Sequence, residues 1–208
     1  MTPSKPTYHH GNLRSELIEA GLQLARDGGP DAVVLREVSR RAGVSHNAAY
    51  RHFADRDSLL KAICDRCMRS LAQLMERRIA EVGPARRGAA AARARLRATG
   101  GAYVEFALTE PGLFRTAFAV PPGLGYLEED EGVGDGGLGP LEILQAQLDS
   151  VWVASGLPRE RRANAEFAAW SSVHGLSMLL LEGPLREVPE GERDALLTRL
   201  LDTIERGL

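Results

Sequence analysis

Three features of the 208-residue sequence predict an all-α protein. Helix formers dominate, with 28 Ala and 29 Leu against 12 Val, 5 Ile and 7 Thr. Apolar residues recur at spacings of three and four, and glycine, proline and capping residues interrupt those stretches where helices begin and stop. At 44% hydrophobic and 26% charged residues, the composition is that of a globular chain with a sizeable core, against disordered and fibrous classes. No run approaches the roughly 18 apolar residues of a membrane span. Met1 to Arg14 is polar, without the apolar centre of a signal peptide, so the expected location is the cytoplasm and no membrane contact is expected.

The elements follow in order. Leu13, Leu17, Gly21 and Leu24 write a first helix from about Leu13 to Asp27, with Asn12 as its cap and Gly28-Gly29-Pro30 as its stop. A short second helix holds Leu35 and Val38 and ends at Ala42-Gly43. Val44-Ser45 then leads into a third helix, His46 to Phe53. Asp55 caps a fourth, whose stripe Leu59, Leu60, Ile63, Cys67, Leu71 and Leu74 runs to about Glu81. Gly83-Pro84 closes this section and places a boundary near residue 84; an Ala-rich helical stretch follows, ending at Glu110-Pro111-Gly112. Pro121 to Pro140 contains seven glycines and five acids and is expected to be a mobile loop. Helical patterns resume in Leu141 to Ser155, Arg159 to Leu181 and Glu192 to Arg206. The division expected is an N-terminal unit over 8–55, a connecting helix over 56–84 and a C-terminal domain over 85–208.

Charge divides along the same line. Residues 1–88 carry 15 Lys and Arg against 10 Asp and Glu, and residues 89–208 carry 11 against 18, which sums to the overall −2. Within the basic half, residues 35–53 are laid out as a helix-turn-helix. Two helices that cross closely need a small residue on each side of the contact, here Ser39 and Ala49, and a residue tolerant of positive φ between them, here Gly43. Ser45 caps the second helix, whose outward positions His46, Asn47, Tyr50, Arg51 and His52 all carry hydrogen-bonding groups. Such groups suit base edges and phosphates in a major groove. The competing reading, a solvated helix on a bundle, does not explain why turn, polar face and basic half coincide.

The stretch VVLREVSRRAGVSHNAAYRHFADRDSLL, Val33 to Leu60, resembles the DNA-binding module of the TetR (tetracycline repressor-like) transcriptional regulators. The opening YHHGNLR, Tyr8 to Arg14, and AWSSVHGLSM, Ala169 to Met178, further resemble a branch with a C-terminal Trp-x-x-x-His-Gly signature, here Trp170, His174 and Gly175. The resemblance implies that Ser45 through His52 form the recognition helix and that Tyr50 meets a phosphate. It also implies that Arg56 supplies the phosphate contact usually made by a lysine. Val34 stands where the family tends to have Ser or Thr, so one cap is missing. His46 and Asn47 are the candidates for base reading.

The same resemblance implies a C-terminal domain that pairs two subunits and encloses a small molecule. For pairing, Phe167, Ser171, His174, Met178 and Leu181 form one stripe, and Leu196, Leu197, Leu200, Leu201 and Ile204 another. A homodimer matches a palindromic or near-palindromic double-stranded operator, because one such unit reads about one half-site. For the pocket, Tyr103, Phe106, Phe114, Phe118, Trp152, Trp170, His174 and Met178 are the candidates, although large apolar residues at helical spacing are mostly core. The effector is not named by the sequence, and no cofactor is expected.

Other classes have weaker support. No Gly-x-Ser-x-Gly, phosphate-loop or His-Glu-x-x-His pattern is present, which argues against an enzyme. Cys64 and Cys67 have the spacing of a redox or metal pair but lack a second pair of ligands, and His9-His10 suggests an arm rather than a metal site. A metal- or redox-responsive regulator using the two cysteines and a structural dimer that ignores DNA remain the alternatives. The mechanism expected is repression relieved by a small molecule, with the fourth helix transmitting the shift.

Overall fold

The computed structural model describes residues 13–83, 87–120 and 133–207. Nine α-helices are found among them: α1 (Leu13–Gly28), α2 (Leu35–Arg41), α3 (His46–Tyr50), α4 (Arg56–Glu81), α5 (Gly88–Thr109), α6 (Pro111–Ala117), α7 (Pro140–Ser155), α8 (Ala165–Leu181) and α9 (Glu190–Gly207). Single 3₁₀ turns lie at Pro30–Ala32 and Arg159–Arg162, and no strand occurs among the described residues. The fold is all-α, with an N-terminal helix-turn-helix unit and a helical C-terminal part, as expected.

The helix α4 runs through both parts. Its start is fixed by reciprocal bonds: the Ser58 amide donates to Asp55 Oδ1 at 2.8 Å and the Asp55 amide donates to Ser58 Oγ at 3.3 Å. At 1.5 Å per residue its 26 residues span about 39 Å. Leu59, Ile63, Cys67 and Leu71, four apart, are fully buried and form the seam on which α1, α5, α6 and α7 pack. Gly21 lets α1 come close, since a Cβ there would overlap the Ile63 side chain.

One continuous core runs from Leu13 to Leu201, and a smaller second one holds Ala92, Leu96, Leu148, Val151 and Trp152. The helix α6 is an element that periodicity did not separate from its surroundings. Its seven residues start with Pro111, whose missing N–H costs nothing in a first turn. No helix of the described residues is long and apolar enough to cross a membrane.

The described end of the segment expected to be a mobile loop, residues 133–139, makes contacts with α4. The amides of Asp135 and Gly136 both donate to the Glu76 carboxylate at 2.9 Å, and Gln73 Nε2 donates to Asp135 Oδ1 at 2.8 Å. Side chains at 134 and 136 would collide with that carboxylate, which explains two of the glycines read from composition. Residues 133–139 thus dock on α4 and enter α7 in a defined direction. Residues 121–132, like the expected Asn12 cap, the His9-His10 arm and most of the YHHGNLR stretch, lie outside the described residues.

Candidate functional site

The turn between α2 and α3 is closed by backbone geometry. Gly43, at φ +69°, donates to the Arg40 carbonyl at 3.2 Å, and Val44 donates to the Ser39 carbonyl at 3.0 Å. These are the two bonds of a left-handed helix stop, available without strain only to glycine or a close substitute. Ser39 is buried with its hydroxyl returned to the Leu35 carbonyl at 2.7 Å, and Ala49 is fully buried, so both small residues are enclosed where α2 and α3 pack together. Ser45 accepts from the Ala48 amide at 3.2 Å and starts α3. Val34 holds the cap position of α2 without any side-chain bond and is exposed.

With Ala49 and Phe53 facing in, His46, Asn47, Tyr50, Arg51 and His52 face solvent. The His46 and Tyr50 rings meet edge to face with centroids 4.7 Å apart, so each limits the rotamers of the other. The outward face is therefore preorganised at one end, with the Asn47 carboxamide and the Arg51 guanidinium beside it.

Arg56, for which the resemblance implies a phosphate contact, is also tied into the fold. Its Nε donates to the Val33 carbonyl at 2.8 Å and its Nη2 to the Pro30 carbonyl at 2.7 Å, which clamps the chain entering α2 to the start of α4. Two of its donors are committed inside the unit, while the side chain remains 40% exposed. Arg56→Ala is therefore expected to lower unfolding free energy by about 1 to 2 kcal/mol, while leaving the salt slope of duplex binding unchanged. Arg56→Lys, which keeps the charge but lacks the planar fork, is expected to recover little of the loss. An unaltered melting curve together with a shallower salt slope would return Arg56 to the phosphate-contact role.

A cavity of about 260 Å³ lies among α4, α5, α7, α8 and α9. Met68, Leu71 and Met75 of α4 form one wall, and Leu96, Gly100 and Tyr103 of α5 another. The remainder comes from Phe118, from Val133 and Leu141 at the docked turn, from Phe167, Trp170 and Val173 of α8, and from Leu201 and Ile204 of α9. Of the eight residues expected here, the structure brings three to the wall: Tyr103, Phe118 and Trp170. Phe106 and Phe114 are buried in the main core, and Met178 packs against it. Trp152 belongs to the second core, its Nε1 donating to the Pro158 carbonyl at 2.9 Å.

His174 stands behind the wall, within reach of four rings, Tyr103, Phe114, Phe118 and Trp170. Tyr103 accepts from Trp170 Nε1 at 3.0 Å and hydrogen-bonds His174 Nδ1 at 2.7 Å. Burial pushes the His174 pKa below its ordinary 6.5, so the folded state binds this proton less readily than the unfolded chain. The stabilising difference is present above pH 6.5 and is lost as pH falls through that value toward the folded-state pKa. Urea midpoints at pH 7.5 and 5.5 are expected to differ less for His174→Gln than for the parent chain; equal differences would exclude this role.

Of the residues expected at a dimer seam, Phe167, Leu201 and Ile204 line the cavity, and Leu201 is buried within the subunit. Leu181, Leu197 and Leu200 are partly covered, whereas Ser171 and Leu196 are exposed. Leu179, absent from the expected set, is 44% exposed and points outward from α8. The α4 wall was also missed, although Met68, Leu71 and Met75 recur at three- and four-residue spacing.

The two cysteines are core residues. Cys64 and Cys67 are fully buried, and Cys64 Sγ donates to the Thr116 carbonyl at 2.9 Å. Burial pushes the Cys64 pKa up to about 11 and that of Cys67 higher still, so both remain thiols rather than the thiolates that bind metal or react. This geometry favours a packing role for both over the metal- or redox-responsive alternative.

Comparison with known proteins agrees with this architecture. Residues 96–204 match the family model described as the tetracyclin repressor-like C-terminal domain, and residues 17–63 match that of bacterial regulatory proteins of the tetR family. An HTH-type transcriptional repressor of Mycobacterium tuberculosis is 31% identical over 63 residues, which is 30% of this chain and 34% of that protein. The chain thus spans about a third of the length of the curated relatives it matches. A Rhodococcus structure of unknown function is 29% identical, with TM-score 0.74 and coverage of 98% and 99% of the two chains. FadR of Bacillus subtilis, solved with stearoyl-CoA, shares the fold at TM-score 0.64 and 14% identity, covering 93% of this chain and 98% of its own. A single-substitution variant of TetR of Acinetobacter baumannii, solved with minocycline, shares it at 0.60 and 19%, covering 97% and 96%. The two family models cover the helix-turn-helix unit and most of the helical domain behind it: the chain belongs to the TetR family of bacterial regulatory proteins.

Proposed function

We propose that the protein is a DNA-binding transcriptional repressor, acting in the cytoplasm as a homodimer on a palindromic or near-palindromic operator and released from it by a small molecule held in the cavity. The observation that carries this reading is the outward α3 face, whose hydrogen-bonding groups are oriented by the Gly43 stop and the buried Ser39 and Ala49. Neighbours of the same fold that carry minocycline or stearoyl-CoA support a ligand role for the helical domain.

Pairing through α8 fits its outer face. Ala168, Ser171, Ser172, Gly175 and Leu179 follow one another at helical spacing, four of them small, and a second helix can approach such a face closely. A two-fold pair would set two α3 helices about one helical turn of DNA apart, or a multiple of it.

The helix α6 is the element that connects cavity to α3. Phe118, at its end, lines the cavity and touches Phe114 at a centroid distance of 5.3 Å. On its other side Thr116 accepts from Cys64 of α4, and Gly112 lies against the last turn of α1. The Arg26–Glu110 ion pair, 2.8 Å, closes the same contact. A ligand that moves Phe118 or Tyr103 therefore displaces α6 against both α1 and α4. A coupling energy of about 1 to 3 kcal/mol lowers operator affinity roughly five- to 150-fold.

The test is fluorescence anisotropy on DNA fragments that the full chain selects from its own genome, across a salt series. Binding is expected to be sequence-selective, with log affinity falling linearly in log salt. A protein that ignores double-stranded DNA in dilute buffer across a randomised pool would overturn the reading.

A further inference from the structure

We infer that the cavity takes a neutral, largely apolar molecule of roughly ten carbon atoms, an inference that rests on the cavity being the effector site. The size follows from scale: an apolar cavity of about 150 Å³ accepts benzene, and this one measures about 260 Å³.

The charge follows from what the wall has left to offer. Among the lining residues, Asp65 is paired with Lys61 at 3.4 Å, and Arg97 is held by Asp202 at 2.6 Å and Glu205 at 3.3 Å. Thr99 Oγ1 donates to the Arg95 carbonyl at 3.0 Å, and Glu142 accepts from the Gly139 amide at 2.7 Å. Tyr103 and Trp170 bond each other at 3.0 Å, with His174 taking the remaining Tyr103 contact. Every polar side chain on the wall therefore has a partner within the protein. An incoming acid would have to draw Arg97 away from two carboxylates, and an incoming amine would have to displace Lys61 from Asp65 or Arg97 from Glu205, or compete with the Gly139 amide at Glu142. A charge that makes none of these exchanges is buried unpaired. A hydrocarbon surface meets Met68, Leu71, Met75, Val173 and Ile204 without breaking any of these bonds.

The experiment uses the full chain and three probes of similar size: 1-methylnaphthalene, 1-naphthoate and 1-naphthylmethylammonium, titrated by calorimetry. Two variants that fill the cavity locate the binding: Ala169→Leu, on the buried face of α8, and Leu141→Phe, half-buried at the start of α7. The neutral probe is expected to bind at least about tenfold more tightly than either ion. Each filled variant that keeps the parent's circular dichroism melt is expected to lose that binding by a similar factor. Either ion binding as tightly as the neutral probe, no binding of the neutral probe, or neutral binding untouched by both fillings would overturn the inference. Operator anisotropy on the same samples separates the two readings. Saturating 1-methylnaphthalene without effect on DNA affinity removes the release scheme and leaves the ligand class in place.

Discussion

Gly112→Ala is expected to destabilise the protein by about 3 kcal/mol, the upper part of the range for overpacking a tight contact. A Cβ at this position would overlap the carbonyl oxygens of Ala25 and Arg26 in the last turn of α1. Those atoms cannot move aside cheaply, because the Ala25 carbonyl already accepts the Gly29 amide at 2.7 Å. The helix propensity gained on replacing glycine, at most about 1 kcal/mol, opposes the loss without cancelling it. Gly101 supplies the matched control: it lies inside α5 with open space where a methyl group would stand, so Gly101→Ala is expected to raise stability. Urea unfolding of both variants checks the pair. A Gly112→Ala protein as stable as its parent would show that α6 and α1 are not in the contact described. Operator affinity should fall in the same variant, because the overlap pushes α6 away from the unit that carries α3.

The contrast between these glycines indicates what the sequence could and could not express. Gly43 was legible because its role is local: a stop between two short amphipathic segments demands positive φ, and the flanking Ser39 and Ala49 mark the crossing. The start of α4 was legible for the same reason, since Asp55 and Ser58 bond within one turn. Gly112 was not, because its constraint comes from α1, more than 80 residues earlier in the chain. The seven residues of α6 are also too few for a 3.6-residue period to stand out.

The cavity shows the same limit. Periodicity identifies which face of a helix is apolar but not what that face meets. Trp152 and Trp170 looked equivalent as large apolar residues, yet one fills the second core and the other lines the cavity. Phe167, Leu201 and Ile204 sit on stripes suited equally to a partner subunit or to a cavity. Arg56 occupies a position where the family resemblance implies a phosphate contact, and only the fold reveals the two carbonyls within its reach.

Asn47→Ala is expected to cost about 2 kcal/mol of affinity for the cognate duplex and close to nothing for a random one. The argument begins with position. Ser45 caps α3, so residues 46 and 47 open its first turn, the part of a recognition helix that points at base edges. His46 is braced against Tyr50, which leaves it one preferred direction, whereas the exposed Asn47 carboxamide offers a donor and an acceptor side by side. That pair matches the N6 and N7 edge of adenine, and a bidentate contact of this kind discriminates by about 1 to 3 kcal/mol. Arg51 carries a fixed charge on the same helix, so Arg51→Ala is the proper foil: it should weaken cognate and random duplexes alike and reduce the salt slope by about one. Anisotropy titrations of both variants on both duplexes, at several salt concentrations, separate the roles. Equal losses on the two duplexes for Asn47→Ala would move base reading to His46.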